Sequence, residues 1–186
     1  MARLISSFFA IIILIIAFIP MFLIYIAILT TSKGSPIYWS KRVGKNNKTF
    51  QMPKFRSMIK NTPQVATHLL RDQNLFLTPI GSFLRRTSLD ELPQLISIIK
   101  GDMGFVGPRP ALFNQTDLIK LRTDVGLHKL VPGITGLAQI NGRDELLISE
   151  KVELDQEYMK RKSLWVDFKI IFITFIKVIK KEGVAR

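Results

Sequence analysis

A long uncharged run near the N-terminus constrains this chain more than any other feature. From Leu4 to Leu29 no side chain carries a charge, a stretch of about 26 residues or ~39 Å as a straight helix. That exceeds the ~30 Å hydrocarbon core of a bilayer. Pro20 interrupts the run, removing one helical hydrogen bond and disfavouring helix at Ile19. The part before Pro20 would be only ~24 Å long and the part after it about half that. Two readings follow: a kinked helix that crosses the bilayer, or one that enters, bends at the proline and leaves on the same side. Arg3 precedes the run, and Lys33, Lys41, Arg42, Lys45 and Lys48 follow it. The positive-inside tendency therefore places the following domain in the cytoplasm, and same-side exit carries no penalty. A cleaved signal peptide is disfavoured, because the run is too long for an h-region and no small-x-small site follows.

The other end has a different pattern. Between Leu164 and Lys181 a helical wheel gathers Asp167, Lys169, Thr174, Lys177, Lys180 and Lys181 into one sector of about 160°. Phe168, Ile171, Phe172, Phe175 and Ile179 fill the rest, with Trp165 near the start. Such a helix suits the headgroup plane of a membrane; a core helix packed on the domain is the competing reading. Its charges recur too often for a second span.

At 186 residues the chain has room for one modest domain besides its membrane segment. The formal charge of +13 implies an anionic partner: nucleic acid, acidic lipid headgroups or a phosphorylated substrate. Cysteine is absent, which excludes disulfides, thiol nucleophiles and zinc–thiolate sites. With only His68 and His128, a histidine metal cage or a Ser-His-Asp triad is disfavoured too. Chemistry must run on carboxylates, arginines, lysines and backbone amides.

The polar region reads as α/β, α-rich with few short strands. Residues 35–39 and 49–58 read as extended segments around a basic loop, Arg42 to Lys48. Ile80 to Arg86, Leu92 to Lys100 and Glu145 to Arg161 read as helices, and Ala111 to Leu130 as mostly helical. Thr62 to Gln73 reads as a loop and short helix, and Pro132 to Arg143 as a glycine-punctuated loop with a possible strand.

Asp90 and Glu91 follow two arginines, Arg85 and Arg86. Adjacent helical residues point ~100° apart, so the pair cannot oppose one another across a substrate like glycosidase carboxylates. At a helix start one could meet a substrate while the other meets a metal or base. The bland alternative is specific: Ser88-x-x-Glu91 is a capping box. Gly107-Pro108-Arg109-Pro110 projects one guanidinium from a stiff backbone, which lowers the entropy cost of meeting an anion. Pro132 to Arg143 offers glycines whose amides could approach a phosphate, and ends in another arginine. Lys54 and Arg56 would share one face of a strand. His68 and His128 carry no signal of their own.

Taken together, 54–58, 88–95, Gly101 to Pro110 and Pro132 to Arg143 resemble motifs of the bacterial sugar transferase family. More narrowly, they resemble its small monotopic polyprenyl-phosphate phosphoglycosyl transferases, which initiate capsule, O-antigen and glycoprotein-glycan assembly. The resemblance runs over nearly the whole chain. It implies a transferase moving sugar-1-phosphate from a UDP-sugar to undecaprenyl phosphate through an aspartyl-phosphosugar on Asp90, with release of UMP. It also implies Mg2+ near Asp90 and Glu91, and Arg85, Arg109, Arg143, Lys54 and Arg56 on the substrate phosphates or nucleotide. Pro20 matches the proline of the family's re-entrant helix, which favours same-side exit. The implied layout is a re-entrant segment over 1–32, a catalytic domain over 33–163 and an interfacial amphipathic helix and tail over 164–186. The location is the cytoplasmic face of a bacterial inner membrane, with membrane lipids and downstream glycosyltransferases as neighbours and no nucleic acid. Residues 61–67 and 111–114 resemble capsule-type members using N-acetylated amino sugars. Two departures stand out: Ile19 replaces the usual serine before the proline, and Val131 the frequent arginine before Pro132. A basic membrane-tethered nucleic-acid-binding protein or a scaffold is the alternative; the first lacks aromatics interleaved with its basic residues, and the second would not need Asp90.

Overall fold

The computed structural model describes residues 2–60, 62–63, 73–142 and 145–180. Arg143, His68 and most of the expected loop and helix at 62–73 lie outside the described residues.

The uncharged run forms two helices, α1 (Ala2–Ile16) and α2 (Phe18–Thr31), bent by 62°. The break falls at Ala17 rather than at Pro20. Pro20 occupies the first turn of α2, where a missing N–H is harmless, and its ring conflicts with the carbonyl of Ile16 four residues earlier. The ladder continues on either side: Ala17 N donates to Ile13 O (2.8 Å) and Met21 N to Ala17 O (2.9 Å). Among the described residues no single helix is long and apolar enough to cross a membrane; the bent pair passes that test together.

Both outer ends of the pair are tied to the rest of the protein. Arg3 Nη2 donates to Lys100 O (2.9 Å) and Ser7 Oγ to Ile98 O (3.5 Å), so α1 lies on α4 (Leu95–Lys100). Ala10 is fully buried there with Met52, Leu95, Ile98 and Met103. At the far end Ile28 of α2 is buried against Phe55 and Leu84. The bend itself stands clear of the domain: Ile15, Ile16, Phe18 and Ile19 are each two-thirds exposed or more.

A hairpin of β1 (Ile37–Val43) and β2 (Thr49–Phe55) pairs Tyr38 with Lys54 and Val43 with Thr49. Its basic loop turns through left-handed Asn46 and Asn47, a conformation asparagine tolerates. Pro53 can sit in β2 because β2 is an edge strand, paired with β1 on one side only. The expected helix beginning at Ala111 is instead β4 (Ala111–Leu112), paired with Arg42 and Val43. Helix α5 (Thr116–Asp124) follows, and Gly126 at φ 79° separates it from a 3-10 turn at Leu127–Lys129.

Strands β3 (Gly104–Val106) and β5 (Gly133–Thr135) form a parallel pair. A Cβ on Gly133 would lie 2.2 Å from Gly107 N, and one on Gly136 2.2 Å from Gly107 O. Gly107 N and Gly133 N already donate to Thr135 O and Pro108 O. These glycines serve close backbone packing, and the Gly133 amide is not available for the phosphate cradle expected of the loop from Pro132 to Arg143.

Three further helices complete the chain: α6 (Leu137–Ile140), α7 (Ile148–Arg161) and α8 (Leu164–Lys180), with α3 (Gly81–Arg86) earlier. One face of α8 packs on the domain through Ile170, Val166 and Ile173. Asp167 accepts from Tyr158 Oη (2.7 Å), Thr174 and Thr135 share a hydrogen bond (2.6 Å), and Lys177 Nζ donates to Ile140 O (2.6 Å). The opposite face exposes Trp165, Phe168, Phe172, Phe175 and Ile179. Core helix and amphipathic helix thus describe two faces of one element.

Candidate active site

Asp90 and Glu91 lie in a 3-10 turn, Leu89–Gln94, that runs directly into α4. Leu89 and Leu92 anchor the turn among Phe55, Leu84 and Ile28. Pro93 fits because a tight turn entering a helix has no N–H to supply at that point. Ser88 enters the turn left-handed (φ 55°) and makes no side-chain cap. The capping box is therefore absent. A left-handed serine costs of order 1 kcal/mol or more, and the turn spends Glu91 elsewhere.

Glu91 Oε1 meets two cations: Lys54 Nζ of β2 at 2.9 Å and an Arg109 Nη of the Gly107–Pro110 loop, also at 2.9 Å. Asp90 is buried beside this group. Among the described residues no cation makes a direct ion pair with it. Burial pushes the Asp90 carboxyl above the ordinary aspartate range; Lys54, Arg85 and Arg109 pull it back, and Glu91 reinforces the rise. Burial likewise lowers the Lys54 ammonium, opposed by Glu91 and Asp90 and assisted by Arg109 and Arg42. Five residues named from the sequence thus converge: Asp90, Glu91, Lys54, Arg85 and Arg109.

Arg56 does not join them. Its Nη1 donates to Lys33 O (2.7 Å), and its Nη2 to Ser32 O (2.9 Å) and Ser32 Oγ (2.7 Å). The guanidinium thus satisfies carbonyls at the C-terminal end of α2, where the macrodipole favours a cation. Same-face placement of Lys54 and Arg56 on a strand fails because β2 ends at Phe55.

Among the described residues no three histidine or acidic side chains gather to hold a metal. Mg2+ commonly binds through one or two carboxylates with substrate phosphates and water completing the shell. The Asp90–Glu91 pair fits that mode and not an all-protein cage.

A family model described as bacterial sugar transferase matches residues 1–181. The chain belongs to the bacterial sugar transferase family. It is 38% identical over 181 residues to a UDP-galactose-lipid carrier transferase of Erwinia amylovora, covering 89% of this chain and 38% of that protein. It is 43% identical over 162 residues to the UDP-glucose:undecaprenyl-phosphate glucose-1-phosphate transferase of Escherichia coli (strain K12), covering 83% and 35%. With the uncharacterized sugar transferase EpsL of Bacillus subtilis (strain 168) it shares 40% over 164 residues, covering 87% and 79%. The chain thus spans little more than a third of the first two, and most of the third. The sugars in these names are galactose and glucose, so the amino-sugar expectation finds no support in them.

Three further residues near the site were not placed there by the sequence. Arg42, Arg122 and Asp155 sit in a strand and two helices with ordinary polar composition. Only the fold brings them to the loop that carries Arg109.

Proposed function

We propose that this chain transfers sugar-1-phosphate from a UDP-sugar to undecaprenyl phosphate, with Asp90 as nucleophile. The Asp90 carboxylate attacks the phosphorus that bears the sugar; the bond to the bridging oxygen breaks, and UMP leaves with that oxygen. A phosphate oxygen of undecaprenyl phosphate then attacks the aspartyl-phosphosugar, giving undecaprenyl-diphosphate-sugar and restoring the carboxylate. One phosphoanhydride is broken and another made, so no further energy source enters.

One observation carries this reading. Of two adjacent carboxylates, Glu91 is neutralised by Lys54 and Arg109, while Asp90 lies beside them without a direct ion pair among the described residues. An anionic diphosphate can approach a carboxylate only where positive charge is already fixed. Lys54, Arg85 and Arg109 supply it, and Glu91 holds two of them in place. Arg143 is the further proposed phosphate contact. Mg2+, if held between Asp90, Glu91 and the donor phosphates, would supply additional charge neutralisation.

The acceptor's lipid tail requires a membrane, and we assign its contact to α1–α2 and α8. Hydrogen bonds from Arg3 and Ser7 at one end, and from Arg56 at the other, return both termini of the bent pair to the same domain. Each helix is about 21–22 Å long, and an even split of the 62° bend lets the pair sink roughly 11 Å below the surface. That depth stays within one leaflet of a ~30 Å core, which supports re-entry over crossing. The proposed membrane elements are residues 1–32 and 164–186 around a catalytic domain, on the cytoplasmic face of the inner membrane.

The test is to present the full chain in membranes with undecaprenyl phosphate and a panel of UDP-sugars that includes glucose, galactose and N-acetylated amino sugars. UMP release with at least one donor is expected. Folded protein that releases none with any donor would count against transfer, and would return the scaffold reading.

A further inference from the structure

Two of the four residues of the Gly107–Pro110 loop, Pro108 and Pro110, have no amide N–H to anchor it, and Gly107 N is committed to Thr135 O (2.9 Å). The loop's carbonyls are further handles, and three in a row are occupied. Pro108 O accepts from Gly133 N (3.0 Å), Arg109 O from Arg122 Nη1 (2.7 Å), and Pro110 O from Arg42 Nη1 (3.1 Å). Each partner is itself fixed. Arg122 Nη2 donates to Asp155 Oδ2 at 2.6 Å, and Asp155 is 1% exposed on α7. Arg42 Nε donates to Ser40 Oγ (2.9 Å), which is equally buried.

Burial pushes the Asp155 carboxyl above the usual aspartate range, with Arg122 pulling it down. A buried ion pair of this kind is a poor way to gain stability, since desolvating both charges offsets their attraction. It is a good way to fix a geometry. Asp155 neutralises Arg122, so that guanidinium does not compete with Arg109 for phosphate, yet its second edge still grips the Arg109 carbonyl.

We propose that Arg122, oriented by Asp155, is a positioning residue for the transfer reaction, acting through the Arg109 backbone to aim the Arg109 side chain at the donor diphosphate. This inference rests on the function proposed above. Displacing a substrate-orienting group by about 1 Å can cost about 100-fold, so Arg122→Lys and Asp155→Asn should each lower kcat/KM for the UDP-sugar roughly 10- to 100-fold.

A double-mutant cycle tests it, measuring UMP release for Arg122→Lys and Asp155→Asn in wild-type and Arg109→Ala backgrounds, with the thermal midpoint followed in each. If the pair acts through Arg109, the loss shrinks to about threefold or less once Arg109 is alanine, whereas independent sites would lose equally in both backgrounds. An equal loss in both backgrounds, or a loss that merely follows the thermal midpoint, overturns the inference. Should Arg122→Lys not fold, Asp155→Asn and Arg42→Lys complete the cycle, and failure of all three to fold assigns the cluster to stability and overturns the inference as well. Wild-type protein that releases no UMP refutes the proposed function instead, so the two failures are distinct.

Discussion

Asp90 and Asp155 are both buried aspartates whose carboxyls are raised by desolvation, but their surroundings differ in one respect. Asp155 has Arg122 at 2.6 Å, a closed pair between α5 and α7. Asp90 faces Lys54, Arg85 and Arg109 without a direct ion pair among the described residues, while its neighbour Glu91 takes the contacts. In a closed pair the carboxylate is already matched by its own cation. A carboxylate beside cations that are already held in place is arranged for a third, anionic party. Burial alone therefore does not mark a reactive group; incomplete pairing inside a positive cluster does.

The strongest way to break that contrast is Asp90→Asn. Loss of the nucleophile should abolish UMP release, a fall of more than about 1,000-fold if no other group substitutes, while thermal stability holds or rises. The sign follows from the raised carboxyl: whatever stability Asp90 contributes is present in full below its unfolded pKa and lost as pH rises through the folded one. At neutral pH an uncharged isostere removes a liability. A large drop in the melting temperature would make Asp90 structural.

Asp155→Ala should do the reverse to stability. It strands Arg122 in the interior, at a cost of about 3–5 kcal/mol, readable by urea denaturation. An unchanged midpoint would mean that water already satisfies Arg122.

Lys54→Met sharpens the comparison at Glu91. Removing one charged hydrogen bond should weaken donor use by about 1.5–3 kcal/mol, seen as a fall in kcat/KM with unchanged expression. Rates within twofold of wild type would take Lys54 out of the phosphate site.

The smallest expected effect is in the pH profile. Activity needs Asp90 ionised and Lys54 charged, so a raised carboxyl moves the acid limb above the ordinary value of ~3.9. A lowered ammonium moves the alkaline limb below ~10.4; Lys54→Met should erase that limb and, by removing a cation that holds the Asp90 carboxyl down, push the acid limb further up. Limbs at the ordinary values would mean that bound donor resets both groups.

What was legible in the sequence was local. The hairpin and the helices at 81–86 and 148–161 follow from patterns carried by short segments, whereas the gathering of Asp90, Glu91, Lys54, Arg85 and Arg109 was implied only by the family resemblance. The errors came from tertiary pairing. Ala111–Leu112 joined β1 as a strand, the glycines of 133 and 136 served backbone packing, and Arg56 was drawn to the end of α2. The break at Ala17 was offset because proline acts on the turn before it. Arg122 and Asp155 carried no local signal, since what matters is the carbonyl of a distant loop.

The most direct measurement is intact-peptide mass spectrometry after mixing the protein with its UDP-sugar in the absence of acceptor lipid. Digestion with trypsin should release Thr87–Lys100, which contains both acids. The prediction is a mass gain of one sugar-phosphate on that peptide, with fragments placing it at Asp90 and its loss on adding undecaprenyl phosphate. An unmodified peptide under conditions where UMP forms, or an adduct on Glu91, would contradict it.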